Sequence, residues 1–221
     1  MRVIIFGASG MVGKGVLLEC LDDAGVRAVT AVGRTRCGVS HEKITELLHH
    51  DFFDYSEVES SLTGLDACFF CLGVSSAGMR EAAYSRLTLD LTLAAAEAVL
   101  RASPEAVFCY VSGAGTDSTE QGRTMWARVK GRTENRLLAM PFRAVHMFRP
   151  GYIQPLRGIR SKTPLYRAAY AVLGPLFPIW QALAPDAVTT TVKLGRAMIR
   201  VARDGHPSRV LETRDINAIA G

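Results

Sequence analysis

The chain has no uninterrupted apolar run long enough to cross a bilayer, no low-complexity tract, no internal repeat and no strong excess of one charge. The first absence argues against a membrane span, which needs about 20 consecutive apolar residues. The second and third argue against linkers, disordered tails and solenoid architectures. A net charge of +5 is mild and dispersed. Its densest groups, Arg34 with Arg36 and Arg157 with Arg160, Lys162 and Arg167, lack a series of interleaved aromatic stacking platforms, Tyr166 alone falling among them, so no nucleic-acid surface is expected. Met1-Arg2 leads straight into the first apolar run, so no signal peptide is expected. The five cysteines are an odd number scattered through apolar context, which fits reduced thiols in a cytoplasmic protein. Cys68 and Cys71 form C-x-x-C on a strand-like run, where side chains three apart point to opposite faces, so core packing is the better reading. His41, His49 and His50 have no metal-ligand spacing, and no metal site is expected.

What remains is an ordinary globular composition, 48% hydrophobic and 21% charged over 221 residues, enough for one α/β domain with a real core. The chain opens on Val3-Ile4-Ile5-Phe6, too short for a helix and rich in strand formers. Glycines follow at 7, 10 and 13, and an apolar helical pattern begins with Val12, Val16, Leu17 and Leu21. A strand, a glycine turn and a helix start are what a dinucleotide pyrophosphate needs. Gly7 permits the turn, Gly10 the approach of the phosphates, and Gly13 close packing of helix on strand. Ser9, Met11 and Val12 belong to the same turn. The spacing is G-x-x-G-x-x-G, not the common G-x-G-x-x-G, and its place directly after the first strand strengthens it.

Further strands are expected over residues 28–32, 44–50, 66–72, 106–112 and 143–149, with helices between them. The alternation predicts a Rossmann-type, doubly wound parallel sheet. The second strand ends in Gly33-Arg34-Thr35-Arg36, where such folds meet the adenosine ribose. No Asp or Glu occurs between Gly25 and Ser40 to accept from a 2′-hydroxyl, whereas Arg34 and Arg36 suit a 2′-phosphate. NADP(H) is therefore preferred over NAD(H). Asp51 and Phe52 are expected beside the adenine, with Phe53 in the core. Cys71, Leu72 and Gly73 end the fourth strand on the ligand side. A long helix carrying Leu87, Leu91, Ala94, Ala95, Ala98 and Val99 should follow. Residues 154–221 should add a small helical substrate-site region to the single domain. Within it, residues 166–183 are apolar but interrupted by Gly174-Pro175, and read as a flap over the substrate or as a face for a second copy or a protein partner across 164–185. A capped amphipathic helix is expected over 189–202, an edge strand over 209–212 and a short helix over 215–220.

Taken in order, Gly7-x-x-Gly10-x-x-Gly13, Val32-Gly33-Arg34, Cys71-Leu72-Gly73, Ser112, Val129-Lys130-Gly131-x-x-Glu134 and Phe148-Arg149-Pro150-Gly151 resemble the short-chain dehydrogenase/reductase superfamily. The likeness runs over nearly the whole chain and is strongest to the atypical NAD(P)H-binding branch that includes the Tat-interacting-protein family. It implies hydride transfer at a carbonyl or alcohol carbon. In that chemistry a tyrosine is the general acid/base, a lysine four residues on lowers its pKa and holds the nicotinamide ribose, and a serine bonds the substrate oxygen. Lys130 and Ser112 match, while the tyrosine position is Trp126, an indole donor that does not titrate usefully. Pro150, Gly151, Tyr152 and Ile153 are expected at the nicotinamide, with Tyr152 the leading substitute acid ahead of Tyr84, Tyr110 or an ordered water. The expected protein is an NADP(H)-binding oxidoreductase acting on a small apolar carbonyl or alcohol. The alternatives are a catalytically weak cofactor-dependent sensor, favoured by Trp126, and a nucleotide-sugar epimerase or dehydratase.

Overall fold

A computed structural model describes residues 1–159 and 177–221. Its centre is a seven-stranded parallel sheet of β1 (Arg2–Phe6), β2 (Ala28–Gly33), β3 (Ile44–Leu48), β4 (Ala67–Phe70), β5 (Val107–Val111), β6 (Ala144–Arg149) and, later in the chain, β9 (Val210–Glu212). Their order in the sheet is β3-β2-β1-β4-β5-β6-β9, and every pairing is parallel. The chain winds outward from β1 in one direction and then from β4 in the other. The reversal falls between these strands, where Phe6 pairs with Phe70, and a ligand crevice opens beyond the strand ends at such a point.

Alternation along β1 splits the core in two. Val3 and Ile5 face one layer with α1 (Met11–Asp22), while Ile4 and Phe6 face the other with α3 (Leu91–Ala102) and α4 (Met125–Leu138). The first layer is completed by α6 (Thr191–Asp204) and α7 (Thr213–Ala220). Cys68 joins the second layer and Cys71 packs against the first, as residues three apart on an extended run must.

Several local expectations are corrected. The helix after β4 is three segments, α2 (Glu81–Ser85), a π turn (Arg86–Asp90) and α3, and the π turn leaves Leu87 exposed. Phe53 is exposed beneath the Arg86 guanidinium, 5.1 Å from its ring centre, and is not core. A 3₁₀ segment, Ser56–Leu62, precedes β4. Thr189 lies in a strand: β7 (Tyr152–Gln154) and β8 (Val188–Thr190) form a separate two-stranded parallel sheet. The cap of α6 is Thr190, whose hydroxyl accepts the Lys193 N–H at 3.0 Å. A short helix, α5 (Phe177–Leu183), precedes β8. The proposed flap lies outside the described residues, except for residues 177–183 in α5.

Candidate functional site

The glycine turn shapes one end of a cleft of about 710 Å³ at the reversal point. Gly7 leaves β1 at φ +86°, a conformation that L side chains rarely adopt. A Cβ on Gly13 would sit 2.2 Å from the Gly7 carbonyl oxygen, so only glycine lets α1 start this close to the strand. Gly10 N–H donates to Gly7 O at 2.9 Å and Gly10 O accepts Lys14 N–H at 2.8 Å, which closes the first helical turn. No side chain caps α1 and no acidic residue stands in its first turn. Ser9, Gly10, Met11 and Val12 line the cleft there, so the positive end of the helix dipole borders an empty volume without a protein anion against it.

Along the next wall lie Gly33, Arg34, Thr35 and the buried Phe52. Arg34 also borders an adjoining groove of about 450 Å³ with Asp51, Phe53, Leu72 and Leu87. Arg36 is placed elsewhere. It is 81% exposed, outside the cleft lining, and pairs with Glu46 at 3.5 Å. Glu46 reaches the end of β2 from β3, a juxtaposition that the sequence order conceals. Its carboxylate accepts the Cys37 N–H at 2.7 Å, and hydrogen bonding from Cys37, aided by Arg36, holds it below the usual carboxylate range. Asp51 turns its own loop by accepting the Phe53 N–H at 2.9 Å.

The far end gathers Cys71, Leu72 and Gly73 after β4, Val111 at the end of β5 with Ser112 and Gly113 after it, Lys130 from α4, and Pro150, Gly151 and Ile153 after β6. Burial pushes the Cys71 thiol up to about 12, so it is a neutral wall. Lys130 donates to the Ser112 carbonyl oxygen. Burial lowers its pKa to about 8 against the raising influence of Glu134 one helical turn on. The Trp126 ring centre is 6.0 Å from the Lys130 ammonium, and its edge stands beside Gly115, just outside the cleft lining. Tyr152 is also outside it. Alternation on β7 gives the cleft wall to Ile153, while Tyr152 bonds Gln154 Oε1 at 2.9 Å and its ring faces Phe177. Tyr84 and Tyr110 are buried in the core, and burial raises the Tyr110 phenol well above its ordinary value.

Two residues without a sequence-level role complete this end. Glu134, fully buried, accepts the Ser112 hydroxyl at 2.5 Å and two arms of Arg149, whose Nε lies 3.1 Å from Oε1. Arg149 continues to Glu212 at 3.3 Å and to the Ser118 hydroxyl at 2.5 Å. The available signal was the spacing of Lys130 and Glu134, four apart on one helix face, with an arginine ending β6.

No family model matches the sequence. Among curated proteins, it is 29% identical over 153 residues to protein HTATIP2 of Rattus norvegicus, across 68% of this chain and 62% of that one. The chain thus covers less than two thirds of that relative. It is 26% identical over 205 residues to the mitochondrial protein fmp52 of Emericella nidulans, across 90% and 85% of the two chains. Solved structures with the same fold include ADP-L-glycero-D-manno-heptose-6-epimerase of Helicobacter pylori, with TM-score 0.68 and 15% identity over 99% of this chain and 81% of that chain. A short-chain dehydrogenase family protein of Francisella tularensis gives 0.66 and 14% over 92% and 91%. Bordetella bronchiseptica WbmF, solved with NAD+, gives 0.66 and 17% over 99% and 76%. Sequence relatives, strand order and glycine turn agree: the chain is similar to HTATIP2 and fmp52 and shares the Rossmann fold of the short-chain dehydrogenase and epimerase structures.

Proposed function

We propose that the protein is an NADP(H)-dependent oxidoreductase acting on a small, largely apolar carbonyl or alcohol. One observation carries this reading: a single cleft runs from the uncapped start of α1, past Arg34, to Ser112 and Lys130. The cradle fits a dinucleotide, because a Cβ at Gly13 would collide with the turn whose N–H groups would hold the pyrophosphate. Arg34 is the group for a 2′-phosphate, and the lack of an acidic residue in the main cleft lining, Asp51 lying in the adjoining groove, favours NADP(H) over NAD(H). Arg36, already paired with Glu46, is withdrawn from that role. Lys130 offers N–H donors to a ribose hydroxyl, while Leu72, Cys71, Val111 and Ile153 keep water from the reacting end. A bound nicotinamide supplies the hydride donor or acceptor. Trp126 moves no proton, which leaves Lys130 and an ordered water as the groups able to handle one.

The test is NADPH consumption with a panel of apolar aldehydes and ketones, by the natural protein and by Trp126→Tyr. Turnover by the natural protein supports the oxidoreductase reading. Turnover by Trp126→Tyr alone supports a second reading, a cofactor-dependent sensor, which Trp126 and the inward-facing Ser112 hydroxyl favour. The epimerase reading shares the fold but also calls for the tyrosine. Among the described residues no helix is long and apolar enough to cross a membrane. All five cysteines are free thiols, which supports a reducing compartment such as the cytoplasm.

A further inference from the structure

We propose that the acceptor reduced at this site is a quinone, whose reduction leaves a delocalised anion that Lys130 holds by charge and that no protein acid has to protonate. The proposal rests on the reading of the cleft as an NADP(H) site, and a quinone falls within the small, largely apolar carbonyls named there. Among the described residues lining the reacting end, only Cys71 and Lys130 can ionise. Burial pushes the Cys71 thiol up to about 12, which makes it a poor acid. The other acids nearby are committed elsewhere. Tyr152 bonds Gln154 Oε1, while Tyr84 and Tyr110 lie in the core. The Ser112 hydroxyl donates to Glu134, which Arg149 holds at both oxygens. Trp126 stands beside them and does not titrate.

Lys130 is a cation fixed against the cleft wall. One N–H of its ammonium donates to the Ser112 carbonyl oxygen, and Nζ lies 3.7 Å from where a Cβ on Gly113 would stand. An ammonium has three N–H groups, so one remains for the ribose and one for the oxygen of an acceptor. Such a site separates two kinds of carbonyl. A simple ketone that takes hydride becomes an alkoxide, a base too strong to leave without an acid beside it. A quinone that takes the same hydride becomes a hydroquinone monoanion. The C–H bond of the reduced nicotinamide breaks, an O–H bond forms on one quinone oxygen, and the negative charge rests on the other. The quinone gains two electrons and NADPH becomes NADP+. The product is a phenolate, whose acid has a pKa of about 10, and it takes its last proton from solvent. Lys130 stabilises that charge without moving its own proton, and Leu72, Val111 and Ile153 give the ring apolar walls.

The experiment has two arms. The first uses neither cofactor nor turnover. 4-Nitrophenolate, a chromogenic stand-in for the hydroquinone monoanion, and 4-nitroanisole, its uncharged counterpart, are titrated into the protein at pH 7.5. The phenolate should bind at least about tenfold tighter, the size of one charge-assisted hydrogen bond. Lys130→Met should lose that preference and Lys130→Arg should keep most of it. Equal binding of the two compounds by the natural protein overturns the proposal whatever the variants do. In the second arm, NADPH oxidation is followed with menadione, FMN and acetophenone. The kcat/KM for menadione should exceed that for acetophenone by about 100-fold or more, the size of the missing acid's contribution. Reduction of acetophenone without menadione overturns the proposal and leaves the oxidoreductase reading standing. Reduction of FMN in preference to menadione overturns the choice of a quinone. Calorimetry with NADPH on the same samples separates the two ideas. Binding of NADPH without reduction of menadione overturns the quinone proposal alone, and failure of NADPH to bind overturns both.

Discussion

The two ends of the cleft are built on different principles. At the glycine turn the wall is backbone: Gly7, Gly10 and Gly13 close a helix start on a strand, and no side chain opposes the helix dipole. At the far end the wall rests on buried charge, with Glu134 and Arg149 paired beneath Ser112 and Lys130 held short of its ordinary basicity. The first arrangement rests on backbone geometry alone. The second depends on each partner, because a buried ion left alone is far costlier than a lost contact. The difference teaches where this fold can lose chemistry yet keep a ligand. Trp126, at the position where the resemblance implies a tyrosine, stands beside the second end and touches nothing at the first.

The largest effect should come from breaking the charged end. Arg149→Ala strands Glu134, which is only 1% exposed on its side chain, and should destabilise the fold by about 3–5 kcal/mol in denaturant titration. A loss below 1 kcal/mol would mean that Glu134 is relieved by some other group. The counterpart at the backbone end is Gly13→Ala. Its methyl would meet the Gly7 carbonyl oxygen at 2.2 Å, so the strand–helix junction must open, at about 1–3 kcal/mol and with loss of dinucleotide binding by calorimetry. Arg34→Ala should leave stability unchanged and weaken NADPH by about tenfold or more, with NADH unaffected, since a charge-assisted contact to the 2′-phosphate is all that it removes.

The smallest effect sharpens the link between the ends. Lys130 carries its proton in the free protein below about pH 8. A bound polyanion favours the charged form, so NADPH affinity should be full below pH 8 and decline above it, by at most about tenfold per pH unit. Lys130→Arg should flatten that profile. For stability the sign is opposite: a lysine whose folded pKa lies below its unfolded value of about 10.4 penalises folding while it is protonated. The penalty is relieved as pH rises from about 8 towards 10.

The backbone end was legible in the sequence because its determinants are local. A strand, three glycines and a helix start lie within residues 3–17, and the tightest turn contact, Gly13 against Gly7, acts between neighbours. An all-parallel, doubly wound sheet followed from alternation alone. The charged end was half legible. Ser112, Lys130 and Trp126 stood out through the family resemblance, but the partnership of Ser112, Glu134 and Arg149 joins three elements 15 and 22 residues apart and has no local signature. Arg36 and Arg34 read alike in sequence. Only the packing of β3 on β2, which brings Glu46 to Arg36, tells them apart. The β7–β8 pair was invisible for the same reason, since it joins segments more than thirty residues apart through three-residue strands.

The most direct measurement is a calorimetric titration of the natural protein with NADPH and with NADH at pH 7. The account predicts one site per chain, with NADPH bound at least tenfold tighter than NADH and the difference abolished by Arg34→Ala. Equal affinity for the two nucleotides would contradict the role given to Arg34. Binding of neither would contradict the central claim, and the glycine turn would then be a packing device alone.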